Sequence, residues 1–450
     1  MEGQVFDVIV IGAGVMGLWT GLHLARRGKK TLLIEQFPVP HSRGSSHGQS
    51  RIYRLAYPEK HQTLMTKASY PFWKMLERES SEVLMKGFPL LRITEDPNDQ
   101  IIEECLRSMQ QSECEETKTE RLTGEEINKR YPGVRFSPNC QGLLDHYGLI
   151  LLADRCNRAV LGLYQNSGGI LIDAAPIVHI EPGRIIKVTD AHQRTYCSQN
   201  LVICGGPWAG KLLSKLNYQL PLQPIKIPVI YYRIKGCSPA RFSFLGNCAM
   251  FGEIFSLPEL EYPGMIKFGP HYGPEIDPEQ RDSLNMEPII DCVSCFVRDH
   301  FTYLDPTPAI IENCMYTVTP DSICILDTHP VHRNISFGCG FSGAGYKIAP
   351  VVGQILADLA MDIPAPPDVR QFMSASRFTQ SSIIMKQPQV CTTDDKGTNK
   401  DAKVRFRVPP SGQEKPHSRC GQEFPQKRRR RNLASKTETS DKTETEEKRK

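Results

Sequence analysis

The chain has no uninterrupted apolar run long enough to span a bilayer. Its most apolar stretch, VFDVIVIGAGVMGLWTGLHLA from residue 5, is broken by Asp7 and four glycines and runs straight into RRGKK. A buried strand and helix are expected there, not a membrane span. The chain also lacks a basic secretory leader, and its 15 cysteines are an odd number scattered from Cys105 to Cys420. That pattern argues against a disulfide framework and for reduced thiols in an intracellular compartment. Cys292 and Cys295 form a C-x-x-C with no second ligand pair, so no metal site is expected. Nor does the body carry an excess of charge. Residues 379–450 hold 18 Lys/Arg against 10 Asp/Glu, which leaves 37 against 40 of the chain's 55 and 50 for the residues before them. A nearly neutral, slightly acidic body gives no footprint for nucleic acid, and neither nucleic acid nor membrane is expected as its partner.

What the chain does have is length. Its 450 residues can bury two sizeable cores. Residues 5 to 35 read as strand (FDVIVI), glycine turn, helix (LWTGLHLARRG, stopped by Gly28) and strand (TLLIE), a β-α-β unit. DQIIEECLRSMQQ and GEEINKRY look helical, and GLILLADRCNRAVLGLYQNSGG from residue 148 resumes long helical periodicity. NLVICGGPW near 200 is a strand, residues 223–321 suit an antiparallel sheet, and NISFGCGFSGAGYKIAPVVGQILADLA is again strand, glycine loop and helix. The predicted class is α/β: a Rossmann-like dinucleotide-binding domain (1–88, 148–222 and 322–378) interleaved with an antiparallel-sheet substrate domain of α+β type (89–147 and 223–321). Beyond Phe378 apolar periodicity is lost, and 379–450 reads as a disordered basic tail.

Gly12, Gly14 and Gly17 form G-x-G-x-x-G directly after a strand and at the start of a helix, the context that raises a weak motif to a strong one. Gly12 permits the tight turn, Gly14 lets a pyrophosphate approach the positive helix end, and Gly17 lets the helix lie close on the sheet. Glu35, 18 residues past Gly17 at the end of the second strand, can accept both ribose hydroxyls and would repel a 2′-phosphate. The turn itself does not separate NAD from FAD, which share the ADP half. Gly205-Gly206-Pro207, at the end of a later strand, favours FAD. The segment 40–59, PHSRGSSHGQSRIYRLAYPE, sets His41, Arg43, His47, Arg51 and Arg54 in a Ser/Gly-rich loop, spaced as cations for an anionic ligand.

With GAGVMG, GSSHGQSRIYR, ENCMYTVTPD and GFSGAGYK in order, residues 5 to 378 resemble the monomeric sarcosine oxidase family of covalent flavoproteins, and within it the animal, peroxisomal branch. The resemblance implies FAD bonded covalently through the sulfur of Cys314. It implies further cofactor contacts at Ser50, Val178, Gly343, Ala344 and Gly345, and His47 and Arg51 beside the flavin ring. Arg54 and Lys347 would grip the substrate carboxylate, a fork and a point charge respectively. Lys267 would stand near flavin N5, where a fixed cation favours electron transfer to O2, and His271 would line the pocket. The implied activity is oxidation of secondary α-amino acids (sarcosine, L-pipecolate or L-proline) by O2 with release of H2O2, in a monomer. The chain departs from the family at Phe255, where a tyrosine is usual, and in SGAGYK, where Ala344 replaces an imidazole and Tyr346 a phenylalanine.

Two other readings compete: a dehydrogenase passing electrons to another carrier, and a catalytically impaired flavin-binding protein acting through its tail. A cation at Lys267 favours the oxidase. KRRRR (427–431) reads as a solvated charge run before a nuclear-import patch. The resemblance implies a peroxisomal location, but the chain ends KRK where that branch usually ends in an SKL-like tripeptide, so a cytosolic location is the alternative.

Overall fold

In a computed structural model the described residues are 4–96, 98–236, 248–251 and 253–378. The tail, its KRRRR run and the C-terminus lie outside them.

Continuous apolar runs such as VIVI, TLLI and LVI suit strands buried on both faces. They build the middle of the first sheet. Its parallel strands are, in order, Ile170–Ile172, Thr31–Ile34, Val5–Ile11, Thr195–Ile203 and Ile335–Cys339. Their carboxyl ends align, because Ile172, Ile34, Ile11, Ile203 and Phe337 are successive cross-strand partners. Loops leaving an aligned row of this kind form the crevice in which open parallel sheets bind ligands. Antiparallel strands complete the sheet: the hairpin Ile177–Glu181 and Ile186–Asp190 joins Thr195–Ile203, and Ile325–Thr328 joins Ile335–Cys339. Helices Val15–Arg26, Ala153–Asn166 and Gly345–Leu359 pack together over one face. Their shared core includes Trp19, Leu22, Tyr164, Val352 and Leu356.

The second sheet runs Leu304–Val318, Gln223–Ile234, Met265–Pro270, Ile254–Leu257, Cys248–Phe251, Leu90–Thr94, Gln141–Asp145 and Thr119–Thr123. Every neighbouring pair is antiparallel except Cys248–Phe251 with Leu90–Thr94. A three-stranded sheet of Arg51–Tyr53, Leu149–Leu151 and Met85–Gly87 stands apart from both.

Three local expectations need correction, and a fourth element, helix Lys60–Ser80, carried none. The cationic segment 40–59 is not all loop, since Arg51–Tyr53 is a strand paired with Leu149–Leu151. GLILLADRCNRAV divides into the strand Leu149–Leu151 and the helix Ala153–Asn166. Helix Lys60–Ser80 carries Pro71 inside it and has a polar composition that hides its buried stripe of Gln62, Met65, Ser69, Trp73 and Leu76. Helix Glu287–His300, in a stretch expected to be strands, buries Val293 and Val297 against Phe268 and Phe301.

Candidate active site

The glycine turn opens at the aligned strand ends. Gly12 has φ +100°, and a Cβ there would lie 2.4 Å from the Cys204 carbonyl oxygen. A Cβ on Gly17 would lie 1.8 Å from the Gly12 carbonyl oxygen, so only glycine lets the helix start against the turn. Glu35 follows the second strand and is almost fully buried. The Ala13 N–H donates to its Oε2 at 2.8 Å and the Phe37 N–H to its Oε1 at 3.1 Å, which holds the carboxylate against the turn. The Val15 N–H donates to Ser46 Oγ at 3.0 Å, joining the helix start to the segment after residue 40.

A cavity of about 660 Å³ begins at this turn. It passes Gly12, Gly14 and Glu35 and continues to Arg51, Tyr316 and Gly343. A second cavity of about 360 Å³ shares Arg51, Tyr316, Gly343 and Tyr346 with the first. A site of these dimensions, with a side-chain-free turn at one end, fits an extended dinucleotide whose far end reaches the shared wall.

The second cavity gathers most of the expected site. Cys314 lies in strand Leu304–Val318 opposite Ile227, is buried, and lines this cavity beside Tyr316. Arg54 and Lys347 reach it from different elements. The Arg54 guanidinium is 4.3 Å and the Lys347 ammonium 5.4 Å from the ring centre of Tyr57. Lys347 sits in the first turn of helix Gly345–Leu359, with its Nζ donating to the Ala344 carbonyl at 3.1 Å and its own carbonyl accepting from Trp73 Nε1 at 2.9 Å. Burial pulls its pKa below the usual lysine value, and Tyr57 opposes the pull. Phe255 lines the cavity with its ring 5.1 Å from that of His271, and Tyr316 Oη is 3.3 Å from His271 Nδ1. The hydroxyl that distinguishes Tyr346 points to Ala153 O and Asn157 Oδ1, each at 2.8 Å, while its ring stacks on Trp73.

The structure gives the other expected residues their charge states and partners. His271 is neutral, since burial, then Arg54 and Lys347, push its pKa down to about 3. Burial likewise takes His47 down to about 4, so His47 adds no cation to the ligand site; its Nδ1 contacts the Gly44 carbonyl. Arg43 pairs with Asp282 at 2.7 Å in an exposed position. Arg51 donates to the Ser45 carbonyl at 2.8 Å, to Ser50 O at 2.7 Å and to His47 O, and thereby folds the segment onto itself. Val178 does not reach either cavity. It is 45% exposed at the point where the hairpin register slips between Ile177 and His179, and Ile177 lines the first cavity in its place. Lys267 is not a surface charge and not a lone cation. Its Nζ lies 2.8 and 3.0 Å from the two oxygens of Glu261 and 3.1 Å from Ser50 Oγ.

Among the residues of the second cavity with no assigned role in the sequence are Tyr57, Arg92 and Glu253. Tyr57 lies against both Arg54 and Lys347; burial would raise its pKa, but Lys347 and Arg54 outweigh that and lower it. Arg92, on strand Leu90–Thr94, is buried in the same wall, and the half-buried Glu253 lines it too, its carboxyl pKa raised by loss of solvent. Tyr57 stands three residues past Arg54 in the quoted segment, the only local signal any of them offered.

Known proteins agree with this geometry. The family described as DAO, FAD dependent oxidoreductase, matches residues 7–359. Peroxisomal sarcosine oxidase of Mus musculus is 42% identical over 387 residues, covering 84% of this chain and 97% of that protein. The chain belongs to the sarcosine oxidase family of FAD-dependent oxidoreductases. Monomeric sarcosine oxidase of Arthrobacter sp. is 31% identical over 82% of this chain and 95% of its own length. In fold, the chain resembles the open form of NikD, an unusual amino acid oxidase essential for nikkomycin biosynthesis, with TM-score 0.71 at 22% identity over 82% of this chain and 98% of that one. Membership of an FAD-dependent family decides between the two dinucleotides that the glycine turn had left open. Among the described residues no helix is long and apolar enough to cross a membrane.

Proposed function

We propose that this chain is an amine oxidase that carries FAD covalently on Cys314 and oxidises secondary α-amino acids with O2, releasing H2O2. One observation carries the reading: Cys314, Arg54 and Lys347 line a single cavity that shares a wall with the dinucleotide-sized cavity. The chemistry that FAD supplies when bound is acceptance of two electrons from the substrate C–N unit. The protein's part is binding and charge. Arg54 and Lys347 hold the carboxylate, and a carboxylate between two cations has one orientation. The same cations, beside a neutral His271, favour the uncharged amine, which is the oxidisable form. Phe255 and Tyr346 bound the space left for the substituent on nitrogen. The imine product hydrolyses in water.

The test is a panel of sarcosine, L-pipecolate and L-proline given to the purified protein with peroxide detection. Peroxide from at least one is expected. Bound flavin without peroxide from any, but with reduction of an artificial electron acceptor, would move the assignment to a dehydrogenase. Relatives with peroxisomal names and monomeric ones support a monomer in the peroxisome. A fluorescent fusion at the N-terminus should give a punctate signal, and a diffuse signal contradicts that location.

A further inference from the structure

We propose that Glu261 is a positioning residue for Lys267: its carboxylate fixes the lysine nitrogen against Ser50 in the wall of the second cavity and keeps it an ammonium. Only the catalytic consequence of this inference rests on the oxidase reading; the ion pair itself does not.

The local backbone is built to aim the carboxylate inward. Between strands Ile254–Leu257 and Met265–Pro270 the chain turns through 258–264. There the Gly264 N–H donates to Glu259 Oε1 at 2.6 Å and the Met265 N–H to the Tyr262 carbonyl at 3.1 Å. Three residues before the close of this turn, Glu261 faces Lys267, and the two side chains are 3% and 8% exposed. An ammonium removed from water without a partner would shed its proton. Here three oxygens lie within 3.1 Å of Nζ, two of them on one carboxylate.

The surroundings leave Glu261 as the direct partner. Burial most of all, and Arg51 besides, pull the Lys267 pKa below the usual lysine value, and Glu261 and Glu312 oppose that pull. His47 is neutral at ordinary pH. Tyr231, from strand Gln223–Ile234, contacts Glu261 through its hydroxyl, which also lies 3.2 Å from Glu312 Oε2, and Tyr262 donates to Glu312 Oε1 at 2.8 Å. Ser50 also donates to Glu261. Burial works against the Glu261 carboxylate, but Lys267 and these hydroxyl donors outweigh it and hold its pKa below the usual value. Lys267 therefore presents the cavity with one end of a fixed dipole whose negative end is turned away, not with a mobile charge.

The consequence under the oxidase reading is that Lys267 remains protonated at the pH where O2 takes up two electrons and two protons to become H2O2. The substrate supplies these as a hydride and a proton, so the reaction balances. Glu261 is then a residue of the oxygen step and not of substrate binding.

Lysine labelled with 13C at Cε tests this without any turnover. The Lys267 resonance is identified by its loss in Lys267→Met and followed with pH. The wild-type signal should be that of an ammonium at neutral pH. Glu261→Gln should lower its midpoint by more than about one pH unit, a tenfold change in the equilibrium. Glu261→Asp, which keeps the charge, should restore most of it. A neutral amine in the wild type, or equal midpoints in wild type and Glu261→Gln, overturns the inference, whatever the substrate proves to be. In the holoenzyme, anaerobic reduction and reoxidation by O2 are timed separately. Glu261→Gln should slow reoxidation at least about tenfold more than reduction, and equal slowing of both overturns the positioning role.

Discussion

In the proposed function the substrate end of the site rests on two cations that are not interchangeable. Arg54 offers a planar fork over Tyr57, whereas Lys347 offers a point charge held by the Ala344 carbonyl. Arg54→Lys should lower kcat/KM by about 10- to 100-fold, mostly through KM, because a charge-assisted fork is replaced by a single donor. Steady-state kinetics on the preferred amino acid checks this, and an unchanged KM would place the carboxylate elsewhere. Much of this end was legible in the sequence, because Arg54, Lys347 and Cys314 each sit in a short motif with a local context. Glu261 was not. It lies six residues from Lys267, but nothing in LEYPGMIK shows that the turn folds the carboxylate inward, or that Tyr231 and Glu312 arrive from two other strands. Arg92 reaches the cavity through the pairing of Leu90–Thr94 with strands distant in sequence, a relation that periodicity does not carry.

Among the elements, the first helix and its turn have the least tolerance. A methyl group on Gly17 would overlap the Gly12 carbonyl, so Gly17→Ala should yield protein without flavin, measured by the absorbance ratio of cofactor to protein. Helix Lys60–Ser80 bears on function less directly. Its Trp73 donates to the Lys347 carbonyl and stacks on Tyr346. Trp73→Phe should cost about 1–3 kcal/mol from the carbonyl left without its donor, seen as a lower denaturant midpoint, and should raise KM as helix Gly345–Leu359 loosens. The β-α-β unit was readable because its strands are uniformly apolar and its glycines answer a steric need. Helices Lys60–Ser80 and Glu287–His300 were not, since each holds a proline and a stripe of small polar or cysteine residues that blurs the helical period. Val178 lies at the bulge of its hairpin, where its neighbour Ile177 takes the inward position.

For the whole molecule, three half-buried histidines contribute to the pH dependence. His23, which contacts the Pro350 carbonyl at 2.9 Å, is lowered to about 4 by burial, as is His47, and His271 falls to about 3, all from 6.5. With folded values below the unfolded one, the unfolded chain binds more protons in this window. Stability is then full above about pH 6.5 and falls as pH drops toward the folded values, each histidine contributing about 1.4 kcal/mol per pH unit. Tm should be lower at about pH 5 than at about pH 7, and His23→Gln should make the decline shallower. An equal slope in that variant would mean that His23 is solvated and charged in the native state.

The central claim is that Cys314, in the substrate cavity beside the wall it shares with the dinucleotide cavity, holds the cofactor. Intact-mass measurement after acid denaturation, on wild type and Cys314→Ser, tests it most directly. The expected result is one FAD added to the wild-type mass and none to the variant. An FAD retained by Cys314→Ser, or a wild-type chain of bare mass, would contradict it.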